Sequence, residues 1–133
     1  MPLFLTSHKT PIGTLNLIAH EDVLLAANLS TIRSLRESLD TDDNARELKE
    51  VKSIPVISEL ITDYFDGDLS ALDAIKVRQP GAPFSQAAWK AMRRVKAGKT
   101  MSYADLADRA GSPAAIRAAG SACAKNAIVL VVP

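Results

Sequence analysis

Cysteine and histidine are scarce in this sequence, which has one cysteine, Cys123, and two histidines among its 133 residues. A single cysteine excludes an internal disulfide, and His8 and His20 lie too far from it to give a zinc-ligand spacing, so we expect no metal site. The sequence also lacks any apolar run of roughly 18 residues and the basic and apolar regions of a signal peptide. We therefore expect a cytoplasmic protein with no membrane partner.

The charge of the chain is divided unevenly although its net value is only +1. Residues 1–83 contain 8 basic and 13 acidic residues, whereas residues 84–133 contain 8 basic and 2 acidic residues. A basic C-terminal part is typical of a surface that attracts a polyanion such as a nucleic acid. A basic stretch can equally be a solvated face, so charge alone leaves both interpretations open.

The N-terminal part mixes strand and helix patterns. The predicted elements are a hairpin at 13–30, helices at 31–39 and 54–67, and a loop or short exposed helix at 40–53. A proline and glycine connector at 80–83 marks the domain boundary. We expect a first domain of α and β elements over residues 1–79.

The C-terminal part, residues 84–133, has mainly helical patterns. An apolar stripe predicts a helix from Phe84, and Ser102 is expected to cap the next helix. Gly111 is expected to end that helix, with Ser112 capping the one that follows. The result is a predicted helix-turn-helix over 102–125. The apolar run 127–133, which ends at Pro133, predicts a buried strand.

The second helix of this helix-turn-helix has unusually small side chains for a helix that reads DNA bases. Ala114 and Ala118 lie beside one long side chain, Arg117. A slim helix can enter a narrow groove, and an arginine there can insert into the base stack. With Ser102, these residues are candidates for DNA binding. The alternative is that the small residues pack one helix against another, and the pattern alone does not decide.

Several segments then resemble one family in order and spacing: "YFDGDL", "PFSQAAWKAM", "AGKTMSYADLA", "GSPAAIRAAGSACAKN" and "IVLVVP". They are similar to the O6-alkylguanine-DNA alkyltransferases, and "TPIGTLNLIA" resembles the family's first strand more loosely. The resemblance implies an α+β fold, with a small N-terminal ribonuclease-H-like domain and a helical, winged-helix-like domain. It implies DNA repair: minor-groove binding, flipping of the damaged guanine, and irreversible transfer of its alkyl group to a cysteine. The implied partner is double-stranded DNA carrying O6-alkylguanine, bound by a monomer without a cofactor.

The resemblance also implies roles for individual residues. Tyr103 matches the family tyrosine beside the phosphate of the target nucleotide, where it favours rotation of that nucleotide. Arg117 matches the arginine that fills the gap left by the flipped base. Asn126 matches the asparagine that ties together the turns around the active site, although Ala127 replaces the family's usual proline. Pro133 matches the proline directly before the reactive cysteine.

No residue of the given sequence matches that reactive cysteine, because the sequence ends at Pro133. Alkyl transfer needs an activated thiolate, so we expect the 133 residues as written to be inactive, with no catalytic residue among them. Cys123 lies in the second helix and is expected to be a packing thiol. The alternatives are an incomplete alkyltransferase, a DNA-binding protein without catalysis, and a transcription regulator that keeps the helix-turn-helix.

Overall fold

The computed structural model describes residues 2–95 and 99–133, which form two compact units. The first, the sheet unit, comprises residues up to Pro80 together with Ala127–Val131. The second, the helical unit, comprises Gly81–Asn126 with Val132–Pro133. In the described residues no helix is long and apolar enough to cross a membrane.

The sheet unit is built on five strands in the spatial order β4-β1-β2-β3-β5. They are β1 (Leu3–Thr10), β2 (Gly13–His20), β3 (Val23–Asn28), β4 (Leu48–Glu50) and β5 (Lys76–Val77). The first three form an antiparallel meander, and β4 and β5 add in parallel to β1 and β3. The predicted hairpin is confirmed as β2 and β3. With the helices described next, this sheet confirms the α+β class, whereas the ribonuclease-H-like description stays a prediction.

Helices accompany this sheet: α1 (Ile32–Glu37), α2 (Thr41–Asn44), α3 (Ile57–Phe65) and a 3₁₀ turn (Ala71–Ala74). Leu35 of α1 packs in a buried cluster with Leu5 and Ile18, which are paired neighbours on β1 and β2. The residue pair His8 and Leu15 lies on the opposite face, because side chains alternate along a strand. Ser58 of α3 bonds to His8 on this second face, so the described helices contact both faces of the sheet.

The helix α2 is held by ion pairs around Asp43, whose side chain is almost fully buried. The Arg78 guanidinium lies 2.9 Å from one oxygen of this carboxylate, and that of Arg46 lies 3.4 Å from the other. Burial opposes ionisation of Asp43, but these two arginines outweigh it and keep its pKa below its usual value. This part of the unit is therefore stabilised by an ionised carboxylate.

On the other face, His8 anchors the start of α3. Its Nε2 lies 2.9 Å from Ser58 Oγ, and that oxygen also accepts the Ile54 N–H at 2.8 Å. The Ser58 hydroxyl accepts this hydrogen bond and has one O–H of its own, which can donate to an unprotonated Nε2. Burial lowers the pKa of His8, which favours the same neutral ring.

A pH dependence of stability follows from the lowered pKa of His8. Below the unfolded-state pKa of about 6.5, the unfolded chain binds a proton that folded His8 resists, so the free energy of unfolding should fall as pH drops below 6.5. Urea unfolding at pH 7.5 and pH 5 measures this loss. His8→Gln keeps an acceptor for Ser58 but does not titrate, so its loss should be smaller. An equal loss in both proteins would contradict the assignment.

The helical unit contains α4 (Pro83–Met92), α5 (Tyr103–Arg109) and α6 (Ile116–Ala124). Trp89 on α4 is buried, and its indole N–H donates to the Ala122 carbonyl of α6 at 2.8 Å. Leu106 of α5 and Ala119 of α6 are also buried. The predicted helix that begins near Phe84 is confirmed.

The predicted start of α6 is wrong, since Ser112 does not cap it. The helix begins at Ile116, and Ala115 precedes it without a side-chain cap. Gly111, at φ +94°, and Ser112 instead close α5, because their N–H groups bond to the carbonyls of Asp108 and Ala107 in a Schellman motif. A short turn through Ala115 then separates the two helices.

The predicted C-terminal strand over 127–133 is also wrong. Only Ile128 forms a parallel bridge, to Ala27 of β3, and it is fully buried. Leu130 then adopts a φ of +73°, and the Val131 N–H bonds to the Val129 carbonyl in a γ-turn. This tight turn ends the extended conformation that the apolar run predicted.

Candidate DNA-binding helices and the adjoining cavity

Helix α5 begins with two of the predicted site residues. Ser102 Oγ accepts the Asp105 N–H at 3.1 Å, so the expected N-cap is present. The cap makes Tyr103 the first helical residue, and this residue is 56% exposed. Its ring lies over Gly120 of α6, where an added Cβ would be 3.7 Å from the ring. The Tyr103 ring therefore lies against α6 at Gly120, where a Cβ would make an ordinary contact.

Helix α6 separates its small residues into a buried and an exposed set. Ala119 and Ala122 are fully buried, so they pack within the helical unit. Ala118 is exposed, as is Ala114 in the turn before the helix. The exposed Arg117 side chain makes no hydrogen bond or ion pair among the described residues. Ala114 and Ala118 have short side chains, so this exposed surface can approach a phosphate backbone closely. The Arg117 guanidinium has no partner among the described residues and can bond to DNA there.

The Asn126 side chain bonds to the end of the apolar C-terminal run. Its side-chain Nδ2 donates to the Val132 carbonyl at 2.6 Å. This bond fixes the chain directly before Pro133, which in turn lines a cavity of the helical unit. The asparagine therefore holds one wall of the cavity in place.

This cavity has a volume of about 290 Å³. Three of the predicted residues, Ser102, Tyr103 and Pro133, contribute to its wall, whereas Arg117, Ala114, Ala118 and Asn126 do not. The wall also includes Met92, Met101, Leu106 and Cys123, which the sequence analysis did not assign to a site. Its size is near the lower end for small-ligand sites, and its wall combines apolar side chains with a few hydroxyl groups.

Cys123 is a poor nucleophile in this setting. Its thiol lies 3.9 Å from the sulfur of Met92, to which it donates a weak hydrogen bond. Burial raises the pKa of this thiol above its usual value. Because the thiolate is the reactive form, a raised pKa reduces the fraction that can attack at neutral pH.

Comparison of the chain with known proteins identifies one family. The family described as "6-O-methylguanine DNA methyltransferase, DNA binding domain" matches residues 83–133. The constitutive methylated-DNA–protein-cysteine methyltransferase of Bacillus subtilis is 32% identical over 130 residues, which cover 98% of this chain and 77% of that protein. The chain belongs to the methylated-DNA–protein-cysteine methyltransferase family. The resemblance found in the sequence is therefore confirmed.

Other relatives agree with this membership. The Salmonella typhimurium protein of the same name is 39% identical over 77 residues, but this chain spans only 45% of its length. The solved structure of the Mycobacterium tuberculosis O6-methylguanine methyltransferase matches with a TM-score of 0.72 at 26% identity, covering 98% of this chain and 75% of that one. A structure of Mycobacterium tuberculosis OGT in complex with DNA matches with a TM-score of 0.77 at 27% identity, covering 98% and 74%.

Proposed function

We propose that this chain acts in DNA repair, as the part of an alkyltransferase that binds double-stranded DNA and receives a flipped O6-alkylguanine. The observation that carries the proposal is the position of Ser102 and Tyr103. Ser102 caps α5, Tyr103 is its first residue, and both line the cavity. One short segment therefore borders both the start of α5 and the space proposed for the base. A base that leaves the stack beside Tyr103 enters the cavity directly.

The charge distribution supports DNA as the partner. The basic residues of the C-terminal part outnumber its acidic residues by 8 to 2. Phosphates attract such a surface regardless of base sequence. The exposed Ala114 and Ala118 leave room for a groove wall and offer no side chain that reads bases, which favours binding in the minor groove.

Tyr103 and Arg117 have complementary roles in this proposal. The exposed tyrosine ring, which lies against Gly120, presses against the backbone of the target nucleotide and favours its rotation. The Arg117 guanidinium, which has no partner among the described residues, enters the base stack and bonds to the base left unpaired by flipping. Binding in this way needs one protein molecule per lesion, so we propose a monomer.

The acceptor of the alkyl group is not Cys123 in this proposal. Its thiol is bonded to Met92 and has a raised pKa, so it lacks the activated thiolate that the reaction requires. Asn126 and Pro133 support the pocket and do not take part in bond formation.

Fluorescence anisotropy tests the proposal with two duplexes that differ only in one central O6-methylguanine. The 133-residue chain should bind the damaged duplex more tightly, and affinity for both should fall with rising salt because phosphate contacts release counterions. A methyl-labelled lesion should leave no label on Cys123 after incubation. Equal affinity for both duplexes, or stoichiometric labelling of Cys123, would contradict the proposal.

A transcription regulator that uses the same helices is the second candidate. The Schellman-capped α5, the turn and α6 form the two-helix arrangement that such regulators place on DNA. Selection from random duplexes separates the two functions. The repair proposal expects no strongly preferred sequence, whereas a single preferred site would favour the regulator.

A further inference from the structure

Sulfur is concentrated in one place in this chain. The sequence has three methionines and one cysteine, and three of these four residues line the cavity of the helical unit. They are Met92 at the end of α4, Met101 before α5, and Cys123 in α6. Three sulfur-containing residues from separate segments therefore line one cavity.

The geometry between two of these sulfurs suits a metal ion. Cys123 Sγ and Met92 Sδ are 3.9 Å apart, with the thiol proton between them. If an ion lay about 2.3 Å from each sulfur, which is a typical metal–sulfur distance, the sulfur–metal–sulfur angle would be roughly 115°. That angle is close to trigonal, and a trigonal ion takes a third ligand, for which Met101 lines the same cavity.

The chemistry of the cavity selects a soft ion. Thioether sulfurs prefer Cu(I) and similar soft cations. The usual ligands of Zn²⁺ are cysteine thiolates, imidazoles and carboxylates, and this wall has one cysteine beside two methionines. No carboxylate or imidazole is among the described residues of the wall, and the ammonium group of Lys99 opposes a divalent charge. The described chain also has no cluster of three His, Cys, Asp or Glu side chains that could hold a metal.

We propose that Cys123, Met92 and Met101 form a binding site for a soft monovalent cation of the Cu(I) and Ag(I) class. The ion replaces the proton between the two sulfurs: the S–H bond of Cys123 breaks, a metal–thiolate bond forms, and one proton leaves to solvent. Thiolate and cation neutralise each other, so the pair suits the buried, largely apolar position of Met92 and Leu106.

Titration of the 133-residue chain with Ag(I), and with Cu(I) held by a competing chelator, tests this site. We expect one ion per chain, one proton released per ion at pH 7, and no comparable binding of Zn(II). Cys123→Ser should abolish tight binding. Met92→Leu and Met101→Leu should each weaken it by about tenfold or more, since even outer-shell changes often cost that much.

The methionine variants distinguish a three-sulfur site from a single reactive thiol. Leucine has nearly the volume of methionine, so both variants should fold, which circular dichroism checks. Arg33→Ala, an exposed change on α1 of the sheet unit, is the control and should bind as the wild type does. Wild-type affinity in both methionine variants would overturn the proposal, as would Zn(II) binding as tight as that of Ag(I). Neither result depends on whether the chain binds DNA.

Discussion

Arg117→Ala is expected to weaken binding of a duplex with O6-methylguanine about 10- to 100-fold, because hydrogen bonds to a charged group contribute about 1.5–3 kcal/mol. The guanidinium is exposed and has no partner among the described residues, so removing it leaves no buried group unsatisfied. Protein stability should therefore change little. Anisotropy titrations with the damaged and undamaged duplexes measure the effect.

Two other arginines provide matched controls for this measurement. Arg94 is exposed just after α4, and we expect its charge to attract phosphates without contacting a base. Arg94→Ala should therefore weaken binding of both duplexes equally and reduce the salt slope by about one. Arg33 is exposed on α1 in the sheet unit, and Arg33→Ala should leave both affinities unchanged. The role of Arg117 would be refuted if Arg117→Ala, like Arg94→Ala, weakened both duplexes to the same extent.

Local side-chain signals predicted the start of α5 well but not that of α6. Ser102 caps its helix through a bond to a residue three positions later, and such a bond is encoded in a short stretch of sequence. Ser112 carries the same signal, yet its backbone is already used to close α5. The segment at Gly111 and Ser112 could end one helix or begin the next, and the sequence pattern alone did not show that ending α5 prevails.

Strands that depend on distant partners were harder to predict. Strand β4 has only three residues, two of them exposed and charged, so it lacks an apolar alternation. It exists because β1 offers a free edge for parallel pairing. At the other end of the chain, Ile128 reaches β3 but the turn at Leu130 prevents a full strand. Such pairings depend on residues that are far apart in sequence, and the local spacing of apolar residues does not reveal them.

The cavity shows the same limit for the site. Tyr103 and Pro133 were predicted from the family resemblance, whereas Met92, Met101 and Cys123 carry no spacing that links them. They meet because three separate segments fold around one space. Only the short distance from Cys123 to Met92 reveals that their sulfurs form a pair.

Stability of the helical unit should depend strongly on Trp89, the only tryptophan of the sequence. Trp89 is 4% exposed, and its indole N–H bonds to the Ala122 carbonyl, which joins α4 to α6. Trp89→Ala removes both the packing and this bond, so we expect the free energy of unfolding to fall by about 3–5 kcal/mol. Urea unfolding followed by circular dichroism measures the loss without relying on tryptophan fluorescence.

The edge of the Trp89 ring far from its N–H gives a second test of how tightly the ring is held. A Cβ added at Gly81 would lie 2.5 Å from the Trp89 ring, closer than any real contact, and the hydrogen bond prevents the ring from moving away. Gly81→Ala should therefore cost about 1–3 kcal/mol through overpacking. Gly120→Ala is the control, because its added Cβ would make an ordinary contact at 3.7 Å and alanine favours a helix interior. If Gly81→Ala and Gly120→Ala unfolded at the same urea concentration, the Trp89 ring would be free to shift, which would contradict the overpacking argument.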